Sequence, residues 1–442
     1  MFAALILISQ VVSSSSQLSY FHRLDGEGHN VDESYVACQA DDGSCFFAGK
    51  VFSNPGSKFD FFVQKVSPTG KELWRKVYGP VQSGGDTEYR AGHLSERFWR
   101  SDIPESIAQD HEGNVYIAGE TTLDTSTKAM RSGRSAGTAL VSYDTNGRLR
   151  FAKSFDDQAN PKIAISKAGT VIMACESGCT KAYLKQRNGG LTLEVRSFST
   201  TDGREISKLV FGQDSPPVAI RALNDGTVTL VAAAGPWFDN TEFLYKKGSP
   251  RNPTAWRRYT FDSKMAVVSK REFDNSKDLI RGKAAISPNG DIFCLDGRPD
   301  GSDSLTCWIH DKLAWRQTLA SQRIRYVNPA DLDGEYHYLH DRLQIGKLER
   351  GISANSETVF VAGGPNKSTG TVWQVCAEAF RISSGQPFGM YRHTLTTKSG
   401  ESFVLGMVVA SDSSLLVGGK IGNDATPNVD AWYGAFSLIP SK

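Results

Sequence analysis

Charge of one sign is the first thing this sequence lacks. Its 50 lysines and arginines face 48 aspartates and glutamates, for a formal net charge of +2. With acids and bases mixed along the chain, no whole-molecule field gathers nucleic acid or anionic lipid, so no nucleic-acid partner is expected. Long apolar runs are also missing. The run in residues 1–12 is too short to cross a bilayer and has the length of a signal-peptide core, followed by four serines that suit cleavage. Residues 1–16 are therefore read as a signal peptide, although a basic n-region is absent. The expectation is a secreted, periplasmic or cell-surface protein without a transmembrane span.

Cysteine is sparse, with seven in 442 residues. No Cys-x-x-Cys pair or suitably spaced histidine marks a zinc site. Cys38 with Cys45, Cys175 with Cys179 and Cys294 with Cys307 are spaced for three local disulfides, leaving Cys376 over. Seven partly buried thiols are the alternative, and spacing does not decide between them. Recognisable catalytic signatures are lacking too: there is no G-x-S-x-G, H-E-x-x-H, P-loop or dinucleotide fingerprint. No cofactor is expected, and there is no sequence-level case for an enzyme.

What the chain does have is turns and repetition. Its 42 glycines and 17 prolines favour an all-β fold. One phrase recurs: an alternating strand, a tight polar turn, then an apolar strand. It reads SYVACQADDGSCFFAG from Ser34, ESIAQDHEGNVYIAG from Glu105, KIAISKAGTVIMA from Lys162 and VAIRALNDGTVTLVA from Val218. It returns as KAAISPNGDIFCL from Lys283, GISANSETVFVAG from Gly351 and GMVVASDSSLLVGG from Gly406. The Asp-Gly, Glu-Gly and Asn-Gly elements supply the positive φ that such hairpins need. A third strand follows most of these phrases. A fourth then carries a large apolar residue, near Trp74, Phe151, Trp256, Trp315 and Tyr391.

Seven such units predict a seven-bladed β-propeller of four-stranded antiparallel blades. The last unit has three strands, and LSYFHRLDG from Leu18 matches the missing fourth. The N-terminal strand is thus expected to close the ring and leave no open edge, making residues 17–442 one domain. The stretch FDFFVQKVSPTGKELWRKVYG and then PESIAQDHEGNVYIAGETT, in residues 59–122, resembles the secreted bacterial β-propeller repeat family. That resemblance implies an exported propeller and no catalytic residue.

Length irregularity is the remaining signal. Insertions are read at 80–104, 123–136, 235–253, 262–282 and 320–350, on the face that receives second-to-third and blade-to-blade connections. Aromatic and arginine side chains there suit sugar rings, by stacking, or acidic groups, by bidentate pairing. The candidates are Tyr89, Arg97, Trp99 and Arg100, then Trp237, then Arg323, Arg325, Tyr326, His337, Tyr338 and His340. The expected partner is a protein or glycan, bound by a monomer. A polysaccharide lyase or glycosidase with its site on this face is the alternative. Asp331-x-Asp333-Gly334 lacks the remaining oxygen ligands of a calcium loop, and His337 with His340 makes an incomplete metal set, so no metal is expected.

Overall fold

The computed structural model describes residues 17–24, 33–52, 59–79, 103–122, 136–178, 192–212, 217–234, 255–273, 280–297, 303–319, 351–363, 372–396, 401–411, 414–422 and 429–437. The strands begin with β1 (Gln17–Leu24), β2 (Glu33–Gln39), β3 (Cys45–Phe52), β4 (Phe59–Val66), β5 (Glu72–Tyr78), β6 (Ile103–Gln109), β7 (Val115–Thr122), β8 (Ala136–Tyr143) and β9 (Leu149–Asp156). Next come β10 (Gln158–Ile165), β11 (Thr170–Ser177), β12 (Thr192–Ser199), β13 (Glu205–Phe211), β14 (Pro217–Ala222), β15 (Val228–Ala234), β16 (Ala255–Phe261), β17 (Val267–Phe273), β18 (Ile280–Ile286) and β19 (Ile292–Gly297). The last are β20 (Asp303–Ile309), β21 (Lys312–Leu319), β22 (Gly351–Ala354), β23 (Thr358–Gly363), β24 (Val372–Arg381), β25 (Pro387–Thr396), β26 (Glu401–Ser411), β27 (Ser414–Gly422) and β28 (Val429–Ser437).

These strands form seven four-stranded antiparallel sheets. Six are consecutive meanders, from β2–β5 through β22–β25, and the seventh runs β26, β27, β28 and then β1. β1 pairs with β28 from Gln17 opposite Ser437 to Leu24 opposite Ala431. The first strands β2, β6, β10, β14, β18, β22 and β26 neighbour one another in that order, and β26 also neighbours β2. This is a β-propeller arrangement.

Apolar side chains fill the spaces between sheets. Phe46, Ala48, Phe61 and Val63 meet Val115, Ile117, Ala139 and Val141 of the next sheet. At the junction between seventh and first sheets, Phe47 stacks on Tyr433 at 4.5 Å between centroids, beside Leu416 and Ala435. Second and third strands such as β11 and β12 are buried on both faces, whereas fourth strands such as β5 and β13 leave Leu73, Val77, Ile206 and Val210 exposed at the outer edge.

A packing rule links neighbouring sheets. Every fourth strand skips one residue, and the residue after the skip is Trp74, Phe151, Ser207, Ser269, Trp315, Gly389 and, on β1, Tyr20. The Trp74 indole N–H donates to the Thr145 carbonyl in the next sheet at 2.9 Å, and a Cβ on Gly147 would come within 2.9 Å of its ring. Phe151 covers Gly203 and Trp315 covers Gly385 in the same way, each 2.6 Å from where a Cβ would stand. Those glycines have φ of +77, +68 and +68°. Where the position holds Ser207, the facing turn carries Met265 at φ 67° in place of glycine, and Met265 is buried against Leu209 and Phe211. Where it holds Ser269, the next turn is His310-Asp311 at φ 48 and 63°.

That rule explains one correction. The TAWRRYTF strand was expected to be a fourth strand, but β16 is the third of its sheet, with Trp256 fully buried. β17 is the fourth. The Asp262–Met265 turn between them has no glycine, so its sequence does not look like a hairpin. Residues 262–282 are accordingly not an insertion: they contain this turn, β17, the connection 274–279 and the start of β18. Cys38, Cys175 and Cys307 are thiols, so none of the three local disulfides is formed. Burial pushes the Cys307 thiol up to about 12.

Candidate binding face

In a four-stranded meander, the first-to-second and third-to-fourth turns share one end of the sheet. The second-to-third connection and the link to the next sheet share the other. Adjacent sheets here touch turn end to turn end: besides the Trp74–Thr145 bond, the Asn224 backbone N–H donates to the Pro288 carbonyl at 3.1 Å, and Trp315 to the Ile382 carbonyl at 2.6 Å. The sheets therefore share one sense. One end of the molecule is built of short turns, each locked by repeated backbone bonds such as Ala40 N–H to Ser44 O and Ser166 N–H to Thr170 O. The other end is where 80–102, 123–135, 179–191, 235–254 and 320–350 begin and finish.

Each residue singled out in the sequence belongs to those segments. Tyr89, Arg97, Trp99 and Arg100 are in 80–102, and Trp237 is in 235–254. Arg323, Arg325, Tyr326, His337, Tyr338 and His340 are in 320–350. All of them lie outside the described residues. The described strand ends fix where their segments leave and return: between β5 and β6, between β15 and β16, and between β21 and β22.

Polar residues within the strands organise the connection end of the second and third sheets. Thr138 donates to Gln158 Oε1 at 3.0 Å, and Gln158 Nε2 donates to Glu194 Oε1 at 2.5 Å. Glu194 is buried, and it is paired by Arg196 and by Lys208 at 2.7 Å. Burial alone would lower the Arg196 pKa, but the carboxylates of Glu194 and Glu205 outweigh it and raise the value. Beside this chain, Asn160, at φ 51°, donates its backbone N–H to Glu120 at 3.0 Å and its side-chain amide to Glu176 at 2.7 Å. Two carboxylates are thereby gathered around one asparagine. A hydrogen-bonded polar network of this kind rigidifies the strand ends at which the connecting segments begin and finish. The sequence reading missed all of these residues. Their signal was available: Glu176 in TVIMACES and Glu194 in TLEVRSFS are charges inside otherwise buried strands.

Among the described residues no group of histidine, cysteine or carboxylate side chains could hold a metal, and no helix is long and apolar enough to cross a membrane.

Sheets, register and contact order define the class as β-propeller. No family model matches the chain, so the repeat family that residues 59–122 resemble is not recovered. No curated protein matches it either. Similar solved structures include the Dos1 propeller, 9% identical, covering 94% of this chain and 96% of that one with a TM-score of 0.46. The polysaccharide lyase Uly1 is 10% identical, covering 96% and 99% with a TM-score of 0.48. A protein of unknown function from Dyadobacter fermentans DSM 18053 is 10% identical, covering 96% and 100% with a TM-score of 0.48.

Proposed function

We propose that the protein is an exported, monomeric seven-bladed propeller whose N-terminal strand closes the ring, and that it binds a protein or glycan through its connection face. On this reading residues 1–16 are a signal peptide and residues 17–442 one domain. The observation that carries it is the segregation of ends: tight turns occupy one end of the sheets, and every long segment starts and finishes at the other. Rigid sheets hold such segments at little entropic cost, which is how a scaffold presents a recognition surface. Among those segments 80–102 has the side chains best suited to a sugar or an acidic group, in Arg97, Trp99 and Arg100.

The test is a glycan array probed with the intact protein beside Trp99→Ala and Arg97→Ala. Loss of a central aromatic or arginine contact weakens binding by roughly tenfold or more. Binding that neither substitution alters would reject this face. The bound polysaccharides are then incubated with the protein. Release of shortened or unsaturated products would replace the scaffold reading with the lyase or glycosidase reading.

A further inference from the structure

The first strands carry an arginine that the binding-face reading does not use. Arg221 stands on β14, two residues before the Leu223 turn, and is partly buried. Its Nη1 donates to the Ile286 carbonyl at 2.8 Å and to the Ala354 carbonyl at 3.0 Å. Ile286 ends β18 in the next sheet, and Ala354 ends β22 in the sheet after that. A side chain can reach a strand two sheets away only across the inner side, where the first strands converge. The guanidinium therefore lies on that inner side, near the turn end, bound to the edges of two strands.

Three features of this arginine point beyond a structural tie. First, no carboxylate meets it among the described residues: burial depresses its pKa, and no neighbouring charge offsets that. By contrast, Arg258 on β16 pairs with Asp311 at 3.2 Å. Second, both recorded hydrogen bonds use Nη1. Nη2 and Nε lie on the opposite side of the guanidinium and form its side-on fork, the pair of parallel N–H groups that matches two oxygens of a carboxylate or phosphate. Neither Nε nor Nη2 has a hydrogen-bond partner among the described residues. Third, the first strands carry Lys162, Arg221, Arg281 and Lys283 against Glu33, Glu105 and Glu401, so cations outnumber carboxylates by one. Lys162 and Lys283 flank Arg221 on the adjacent strands β10 and β18, two residues (about 6–7 Å) farther from the turn end. Lys162 is paired with Glu105 at 2.8 Å.

We propose that Arg221 is the receiving group of an oxyanion site on the inner side of the first strands. Nη1 anchors the guanidinium to two strand edges, and the Nε–Nη2 edge takes a carboxylate or phosphate group. The anchoring fixes the fork before the ligand arrives, which lowers the ordering cost of binding. The anion in turn supplies a counter-charge to Arg221, which no carboxylate among the described residues meets. This site is separate from the connection face and stands whether or not that face binds a glycan.

Thermal unfolding tests it, with inorganic phosphate or glucuronate titrated at constant ionic strength set by chloride. A site on the folded state raises Tm along a saturable curve. The curve is expected in the unaltered protein, absent in Arg221→Met, and shifted to about tenfold higher concentration in Arg221→Lys, where a fork becomes a point charge. A stronger response to glucuronate would identify an acidic sugar as the source, and a stronger response to phosphate a phosphorylated ligand. A non-saturating rise that is equal in the unaltered protein and Arg221→Met would overturn the proposal. If Arg221→Met does not fold, the arginine Nε resonance of the unaltered protein decides. It should move saturably with phosphate or glucuronate, and a resonance that both anions leave in place overturns the proposal.

Discussion

At the scale of single residues, carboxylates in the tight turns do chemistry that a sequence shows only as composition. Asp225 accepts the Thr227 backbone N–H at 2.9 Å and its hydroxyl at 2.7 Å, and these bonds, led by the hydroxyl, hold its carboxyl below the ordinary range. Asp42 is lowered chiefly by Ser44, with Lys65 adding to the effect. The folded pKa is depressed in both cases, so the stability these groups contribute is present above their unfolded value near ~3.9 and is lost as pH falls through the folded value. Asp225→Ala should accordingly lower Tm more at pH 7 than at about pH 2. Thermal unfolding across that range measures the difference, and an equal effect at both values would show that the carboxylate contributes no charge-dependent stability. Turn identity was legible because Asp-Gly and Asn-Gly declare themselves. Gln158, Asn160 and Arg221 were not legible, because their partners Glu194, Glu120, Glu176, Ile286 and Ala354 come from other strands, and in most cases from other sheets. A sequence read one phrase at a time cannot bring those strands together.

Between elements, the unit of recognition is a fourth-strand side chain and the turn it covers in the next sheet. Trp74 with Gly147, Phe151 with Gly203 and Trp315 with Gly385 have no room for a Cβ. Where Ser207 stands, the next sheet's turn carries Met265 at φ 67°, buried in the cluster that Leu209 and Phe211 pack against. Gly147→Ala should therefore cost about 2–4 kcal/mol, part from the positive φ and part from the clash with Trp74. In a Trp74→Ser background the clash vanishes, and the same substitution should cost only about 1–2 kcal/mol. Denaturant unfolding of the four proteins yields the coupling, and strictly additive costs would refute the rule. This pairing also explains why one strand was misassigned. With Ser207 opposite, the Asp262–Met265 turn needs no glycine, and its hairpin loses the signal that marked the others.

At the scale of the whole molecule, most of the architecture could be read from the repeat. Strand, turn and strand recur with similar spacing, and each period-2 pattern meets its neighbours through sheet faces that repeat as well. Because the last unit has one strand too few, LSYFHRL could be placed opposite β28, where it lies. The proposed recognition residues stayed at the level of composition, since nothing repeats in the long segments that hold them. Removing residues 17–24 should leave β28 as an uncovered edge. The expected result is a Tm several degrees lower and self-association through that edge, seen by size-exclusion chromatography. A truncated protein that stays monomeric and equally stable would show that β1 contributes nothing to cohesion.

The pairing of Gln17 with Ser437 has a further consequence during biosynthesis. Six sheets can assemble from contiguous stretches as the polypeptide emerges from the ribosome. The seventh must wait, because β1 precedes the other twenty-seven strands and finds its mate in β28, which follows them. Until β28 has been made, β1 has to be kept from pairing with the wrong edge, so the arrival of that strand, rather than any single hairpin, sets the moment at which the seventh sheet becomes whole.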